Sequence, residues 1–220
     1  ESILSVNRHA DELPASAIQD IPVYVVDPSL VSQIVGYKFH SGMLACGRRP
    51  ASLDLNALVG DRTQSTIAVC PVISDPVNLG GIVRTCCALG VNGLMLGTSG
   101  TDPYSRRVVR VSMGSVFKLP IRVSPSLASD LRQLERQHGV QLIATVTHED
   151  AQSLPQADRG KRIAVLFGGE DSGLDDQWTS LCNERVTLPM QRETDSLNVV
   201  VATGIILHHF LTVANIEQAK

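Results

Sequence analysis

Apolar, β-branched runs alternate with stretches of helical periodicity along most of this chain. The runs at Pro22–Val26, Met43–Cys46, Thr66–Val72, Gly93–Leu96, Val116–Val123, Gln141–Val146, Arg162–Phe167 and Arg185–Met190 predict strands. Between them, apolar residues recur every three or four positions in Ser29–Val35, Leu79–Leu89, Leu127–His138 and Leu174–Cys182, and from Leu197 to about Ile216, which predicts helices. From Thr66 onward strand and helix alternate, the pattern of an α/β fold with a parallel sheet covered by helices on both faces. The polar stretch 48–65, with its Pro and Gly and weak periodicity, is read as a linker between residues 1–47 and 66–220. Two strand-like runs and one short helix cannot close a core alone. Residues 1–47 are therefore expected to be the back half of a small α/β domain.

Composition narrows this picture. With 43% hydrophobic residues among 220, the chain can bury a sizeable core. A net charge of −3 excludes a generally basic nucleic-acid-coating protein, but a local basic patch is compatible with it, because exposed charges act over only about 10 Å at ordinary salt. The five cysteines form no CxxC pair and no Cys/His ligand spacing. They read as reduced thiols of a cytoplasmic protein, with no metal. No apolar run approaches the roughly 18 residues of a membrane span, and no signal peptide is visible. The first residue is Glu1 and not Met, so further residues are expected before it.

Three segments share one layout: an apolar run, a polar turn and then a helix. In DPVNLGGIVRT (75–85), Asn78, Gly80 and Gly81 are read as preceding a helix that carries Arg84. Asn78 is either a ligand-facing residue or the helix cap. In VLFGGEDSGL (165–174), Gly168 and Gly169 flank Glu170, a carboxylate at a strand end that needs a partner. Arg84 is the expected one. In LPMQRETDSLNV (188–199), Ser196 is either the cap of the last helix or a site residue, and Asn198 falls in that helix's first turn. Strand-to-helix turns of this kind are where α/β proteins bring backbone amides to ligands. Between the first two lies a locally one-signed segment with Arg106, Arg107, Arg110, Lys118 and Arg122, and with Tyr104 as a stacking residue. It favours a phosphate-bearing partner.

Taken together, these segments resemble the SpoU (TrmH) branch of the SPOUT superfamily of RNA methyltransferases. The first motif matches Asn78, Gly80, Arg84 and Thr85. The second matches Gly168, Glu170, Gly173 and Leu174, and the third Pro189, Met190, Ser196, Leu197, Asn198, Val199 and Ala202. The likeness covers residues 66–220, and residues 22–46 are similar to the end of the ribosomal-protein-like RNA-binding domain that often precedes it. The resemblance implies a C-terminal deep trefoil knot, a homodimer, and methyl transfer from S-adenosylmethionine to a ribose 2′-hydroxyl. It implies Arg84, Asn78, Glu170, Ser196 and Asn198 as the catalytic set. It also implies cofactor contacts from Thr145, Gly168, Gly169, Leu188, Met190 and Leu197; the one-signed cluster adds Tyr104, Arg106, Arg107 and Arg110, with Arg192, as expected RNA contacts. Two positions depart from the family: Arg192 stands where Gly is frequent, and Val200 where Ser is common.

The chemistry suits these residue types. A ribose hydroxyl is a poor nucleophile and must be oriented and partly deprotonated. A guanidinium is not normally deprotonated, so Arg84 is assigned to positioning the hydroxyl and a phosphate and to stabilising the developing alkoxide. The partial N-terminal domain favours rRNA over tRNA. A non-catalytic RNA-binding or ribosome-assembly factor on the same fold is the alternative. A nucleotide-dependent oxidoreductase lacks its GxGxxG fingerprint here.

Overall fold

A computed structural model describes residues 1–36, 40–148, 151–170, 173–192 and 194–213, in two compact units, Glu1–Ala51 and Ser52–Lys220. In the first unit, β1 (Ser2–Val6) leads through two single-turn helices, α1 (Asn7–Ala10) and α2 (Ala15–Ile18), to β2 (Val23–Val26), α3 (Pro28–Val35) and β3 (Met43–Cys46). β1 is the centre of a three-stranded sheet, parallel to β2 and antiparallel to β3. The SILSV run that forms β1 had no helical or strand neighbour pattern to single it out. Asp27 caps α3 by accepting from the Ser29 N–H at 2.9 Å, and Gly36 ends it at φ +76°.

The second unit contains α4 (Leu55–Val59), β4 (Ser65–Cys70), α5 (Pro76–Leu89), β5 (Gly93–Leu96), α6 (Arg106–Val111) and β6 (Ile121–Val123). It continues with α7 (Leu127–His138), β7 (Gln141–Thr145), β8 (Gln152–Ser153), β9 (Arg162–Leu166), α8 (Asp176–Thr179), β10 (Glu184–Thr187) and α9 (Val199–His208). Its seven strands run β6-β5-β4-β9-β7-β10-β8, and every pairing is parallel. Strand alternation sorts the core into two layers. Ile67, Val69, Met95, Leu142 and Leu166 face α4 and α7. Ala68, Cys70, Leu94, Ile143 and Val165 face α5, α6 and α9. Leu55, Leu58 and Val59, inside the stretch read as a linker, are buried in the first of these layers.

Several elements differ from their predicted form for identifiable reasons. The run from Val116 is a single 3-10 turn at Ser115–Phe117, and β6 starts only after Pro120, whose carbonyl accepts from the Leu94 N–H at 2.9 Å but which has no N–H to donate. The helix expected from Leu174 begins only at Asp176 and is one turn long, Gly173 being bridged to Gly169 before it. The last helix passes into a π turn at His209–Val213, and its predicted end near Ile216 lies outside the described residues. There, buried Arg159 donates to the Phe210 carbonyl at 2.7 Å and to Thr66 Oγ1 at 3.4 Å, tying the C-terminal arm to the sheet.

Candidate active site

Because β4, β9, β7 and β10 are parallel neighbours, the loops that leave them emerge at one edge of the sheet. This is where α/β sheets place their ligand sites. Residues that follow β7 and β9, the segment 195–198 and the starts of α5 and α9 line a cleft of about 550 Å³, within the usual range for small-molecule sites. Its lining includes Asn78, Thr145, Gly168, Gly169, Glu170, Ser196, Leu197 and Asn198. A neighbouring cleft of about 480 Å³ is lined by Leu188 and Met190 and shares Thr147 and Asp195 with the first. The cofactor-binding residues expected from the sequence are thus divided between two adjoining hollows.

Glu170 is the most heavily bonded side chain of the site. Its Oε2 accepts from the Ser74 N–H at 3.3 Å and the Ser74 hydroxyl at 3.1 Å. Its Oε1 accepts from the Asp75 N–H at 3.2 Å and from Asn78 Nδ2 at 3.0 Å. Partial burial pushes this carboxyl upward, but the donors on its ionised form outweigh that and leave it below the ordinary glutamate value. The expected partner, Arg84, is not among them. Arg84 lies in the middle of α5, is exposed, lines neither cleft, and has no hydrogen bond or ion pair with any described residue.

A carboxylate only accepts hydrogen bonds, which fixes the amides beyond it. Asn78 turns its NH₂ to Glu170, so its Oδ1 faces away and accepts from Asn198 Nδ2 at 3.1 Å. Asn198 in turn has its own Oδ1 left for the Val200 N–H at 2.9 Å. One directed chain therefore joins all three motif segments. It also corrects the capping assignments: Asp75 caps α5 through Val77 N–H, Asn78 sits inside that helix, and Asn198, in place of Ser196, caps α9.

The glycines have structural duties here. A Cβ at Gly81 would come within 2.9 Å of the Val200 side chain, and one at Gly80 within 2.7 Å of Val111. Both glycines lie inside α5 and let α9 and α6 pack against it; they do not open a ligand approach. A Cβ at Gly168 would strike the backbone of Gly173 and Leu174, so that glycine allows the second motif's turn to close on itself. The turn is held by reciprocal backbone bonds between Gly169 and Gly173 at 3.0 and 3.3 Å.

The residues of the basic segment fall in different settings. Arg106, Arg107 and Arg110 are exposed along α6, and Tyr104 is partly buried against the core. Arg122 is withdrawn from the group: its Nε meets Asp130 at 2.7 Å and its Nη1 meets the Leu53 carbonyl at 2.6 Å. Two apolar residues of the same segment, Met113 and Phe117, are 74% and 69% exposed, which the polar pattern did not flag. Arg192 is exposed at φ +56°, a left-handed conformation that favours glycine. Among the described residues, no group of His, Cys, Asp and Glu is arranged to hold a metal, and no helix is long and apolar enough to cross a membrane.

Comparison with known proteins follows the same residues. Residues 65–208 match the model of the SpoU rRNA Methylase family. An uncharacterized tRNA/rRNA methyltransferase of Mycobacterium tuberculosis is 35% identical over 188 residues, 84% of this chain and 64% of that protein. The chain therefore spans somewhat under two thirds of the length of such mycobacterial relatives. A 23S rRNA (adenosine(1067)-2′-O)-methyltransferase of Streptomyces azureus is 34% identical over 194 residues, 86% of this chain and 70% of that one. An AdoMet-bound rRNA methyltransferase from Sinorhizobium meliloti aligns with a TM-score of 0.76 at 28% identity, covering 94% of this chain and 78% of that one. The SpoU methyltransferase AviRb from Streptomyces viridochromogenes, in complex with AdoMet, has a TM-score of 0.81 and covers 100% of this chain and 83% of its own; at 24% identity this likeness concerns the fold.

Proposed function

The chain belongs to the SpoU rRNA methylase family, and on that footing we propose that it methylates a ribose 2′-hydroxyl of structured RNA, with rRNA favoured over tRNA. The observation that carries this reading is the directed chain Glu170–Asn78–Asn198 on the wall of the cleft. S-adenosylmethionine would be held by Gly168, Gly169, Thr145 and Leu197 in one hollow and by Leu188 and Met190 in the next. When bound it supplies an electrophilic methyl group. The chain's own residues do the rest: Asn78 and Asn198 present fixed amide edges, and Ser196 holds the substrate. Arg84 orients the hydroxyl with its flanking phosphate and stabilises the alkoxide as it forms. Arg106, Arg107, Arg110, Tyr104 and Arg192 would meet the RNA.

Arg84 is exposed and lines neither cleft of its own chain, so we assign it to the cleft of a second copy. α5 and α9 expose Val77, Val201 and Ile205, at 40%, 50% and 43%, which suits a homodimer face on the same helix that carries Arg84. In this reading the segment from Leu188 to Asn198 threads a trefoil knot, one of the rare exceptions to unknotted topology.

The test is methyl transfer to total rRNA, with mapping of the 2′-O-methyl position, alongside calorimetry with S-adenosylmethionine. A protein that binds RNA but not S-adenosylmethionine would instead be a non-catalytic RNA-binding factor. Mixing Arg84→Ala with Asn198→Ala chains tests the shared site. Action across the dimer restores activity, because one cleft of each mixed dimer is then intact. Action within one chain restores none.

A further inference from the structure

The two backbone amides that grip Glu170 are themselves backed by one residue outside the three motifs. The Ser74 N–H belongs to the peptide unit whose carbonyl is that of Ile73; the Asp75 N–H belongs to the unit whose carbonyl is that of Ser74. Both carbonyls accept from Thr101. Its N–H donates to Ile73 O at 2.8 Å, and its Oγ1 donates to Ser74 O at 2.6 Å. A peptide that accepts at oxygen donates more strongly at nitrogen, by roughly 10–30% per bond in such chains. Thr101 thus reaches each oxygen of Glu170 through one polarised peptide. The approach depends on its neighbour, since a Cβ at Gly100 would lie 2.8 Å from Ile73 O and 3.0 Å from Ile73 N.

We propose that Thr101 is a positioning residue for methyl transfer: its amide and hydroxyl set the two-amide cradle that fixes Glu170 and, through it, the directed Asn78–Asn198 pair. The loop that carries Thr101 runs on through Tyr104 into α6, so the segment assigned to RNA contact also shapes the catalytic wall. A hydroxyl that merely satisfied a loop carbonyl would leave Glu170 indifferent to its loss.

The activity part of the test rests on the methyltransferase reading; the titration part does not. In the full chain, the Glu170 carboxyl is titrated by ¹³C NMR in wild type, Thr101→Val and Thr101→Ser. The midpoint is expected to rise toward the ordinary glutamate value in Thr101→Val and to stay at the wild-type position in Thr101→Ser. In parallel, kcat falls about fivefold in Thr101→Val, the worth of one net hydrogen bond. The KM for S-adenosylmethionine stays within about twofold, and Thr101→Ser recovers the rate. If the valine variant does not fold, Thr101→Ala, which adds no volume, is read the same way. An unmoved Glu170 midpoint in a folded hydroxyl-less variant overturns the proposal, as does a serine variant as impaired as valine. A wild-type chain that neither binds the cofactor nor methylates RNA overturns the methyltransferase reading alone, and the titration still decides the role of Thr101.

Discussion

At the end of β9, Glu170 receives hydrogen bonds from Ser74, Asp75 and Asn78; less than two turns along α5 from Asn78, Arg84 is exposed and bonded to no described residue. The two charges of the motif set are therefore prepared differently. The carboxylate is spent on architecture: it fixes two loops and the direction of two asparagine amides before any ligand arrives. The guanidinium is exposed and has no hydrogen bond to any described residue. In the proposed reading, a preorganised polar wall and an uncommitted cation make a site that is rigid where a ribose would be aligned and adaptable where a phosphate would be caught.

Arg84→Ala is the sharpest way to break this contrast. Methyl transfer should fall by about 10²–10³-fold, while thermal unfolding stays within about 0.5 kcal/mol of wild type. Glu170→Gln should behave in the opposite sense, losing stability as well as rate. The expected loss is about 1 kcal/mol, at the low end for a charged acceptor because the side chain is exposed. Its pH signature follows from the lowered carboxyl. The stabilisation is fully present above the ordinary glutamate value and disappears as pH falls through the lower folded value. The melting-temperature gap between wild type and Glu170→Gln should therefore be constant above about pH 5 and close below it. A smaller effect is expected at Arg107→Ala: weaker RNA binding at every sequence and a salt slope shallower by roughly 0.7–0.9, read from filter binding at several salt concentrations. The smallest is Arg192→Gly, which relieves a left-handed arginine worth about 1 kcal/mol. It should leave or slightly raise the melting temperature while weakening RNA binding.

Much of the sheet was legible because strand alternation and buried β-branched runs coincide, as in Ser65–Cys70 and Arg162–Leu166, where every position but Arg162 is buried. What escaped depends on contacts distant in sequence. Gly80 and Gly81 looked like a ligand loop, because only the packing of Val111 and Val200 reveals why a side chain is excluded there. Arg84 and Glu170 were paired on charge alone, yet nearby backbone amides and an asparagine are better placed to satisfy the carboxylate. Thr101 carried no signal at all: its role comes from a loop crossing to within hydrogen-bond reach of residues 73 and 74. Of the two readings open for Ser196, the cap falls instead to Asn198, which Asn78 holds from the first motif.

The bond from buried Arg159 to the Phe210 carbonyl has a practical meaning for anyone shortening this protein. Arginine cannot shed its proton to escape an apolar setting. Trimming the chain back past Phe210 would remove one carbonyl acceptor from this charged donor, at a cost of about 1.5–3 kcal/mol. The turn that carries Phe210 is in this sense a stopper for the interior, and a version cut before it is expected to melt at a lower temperature.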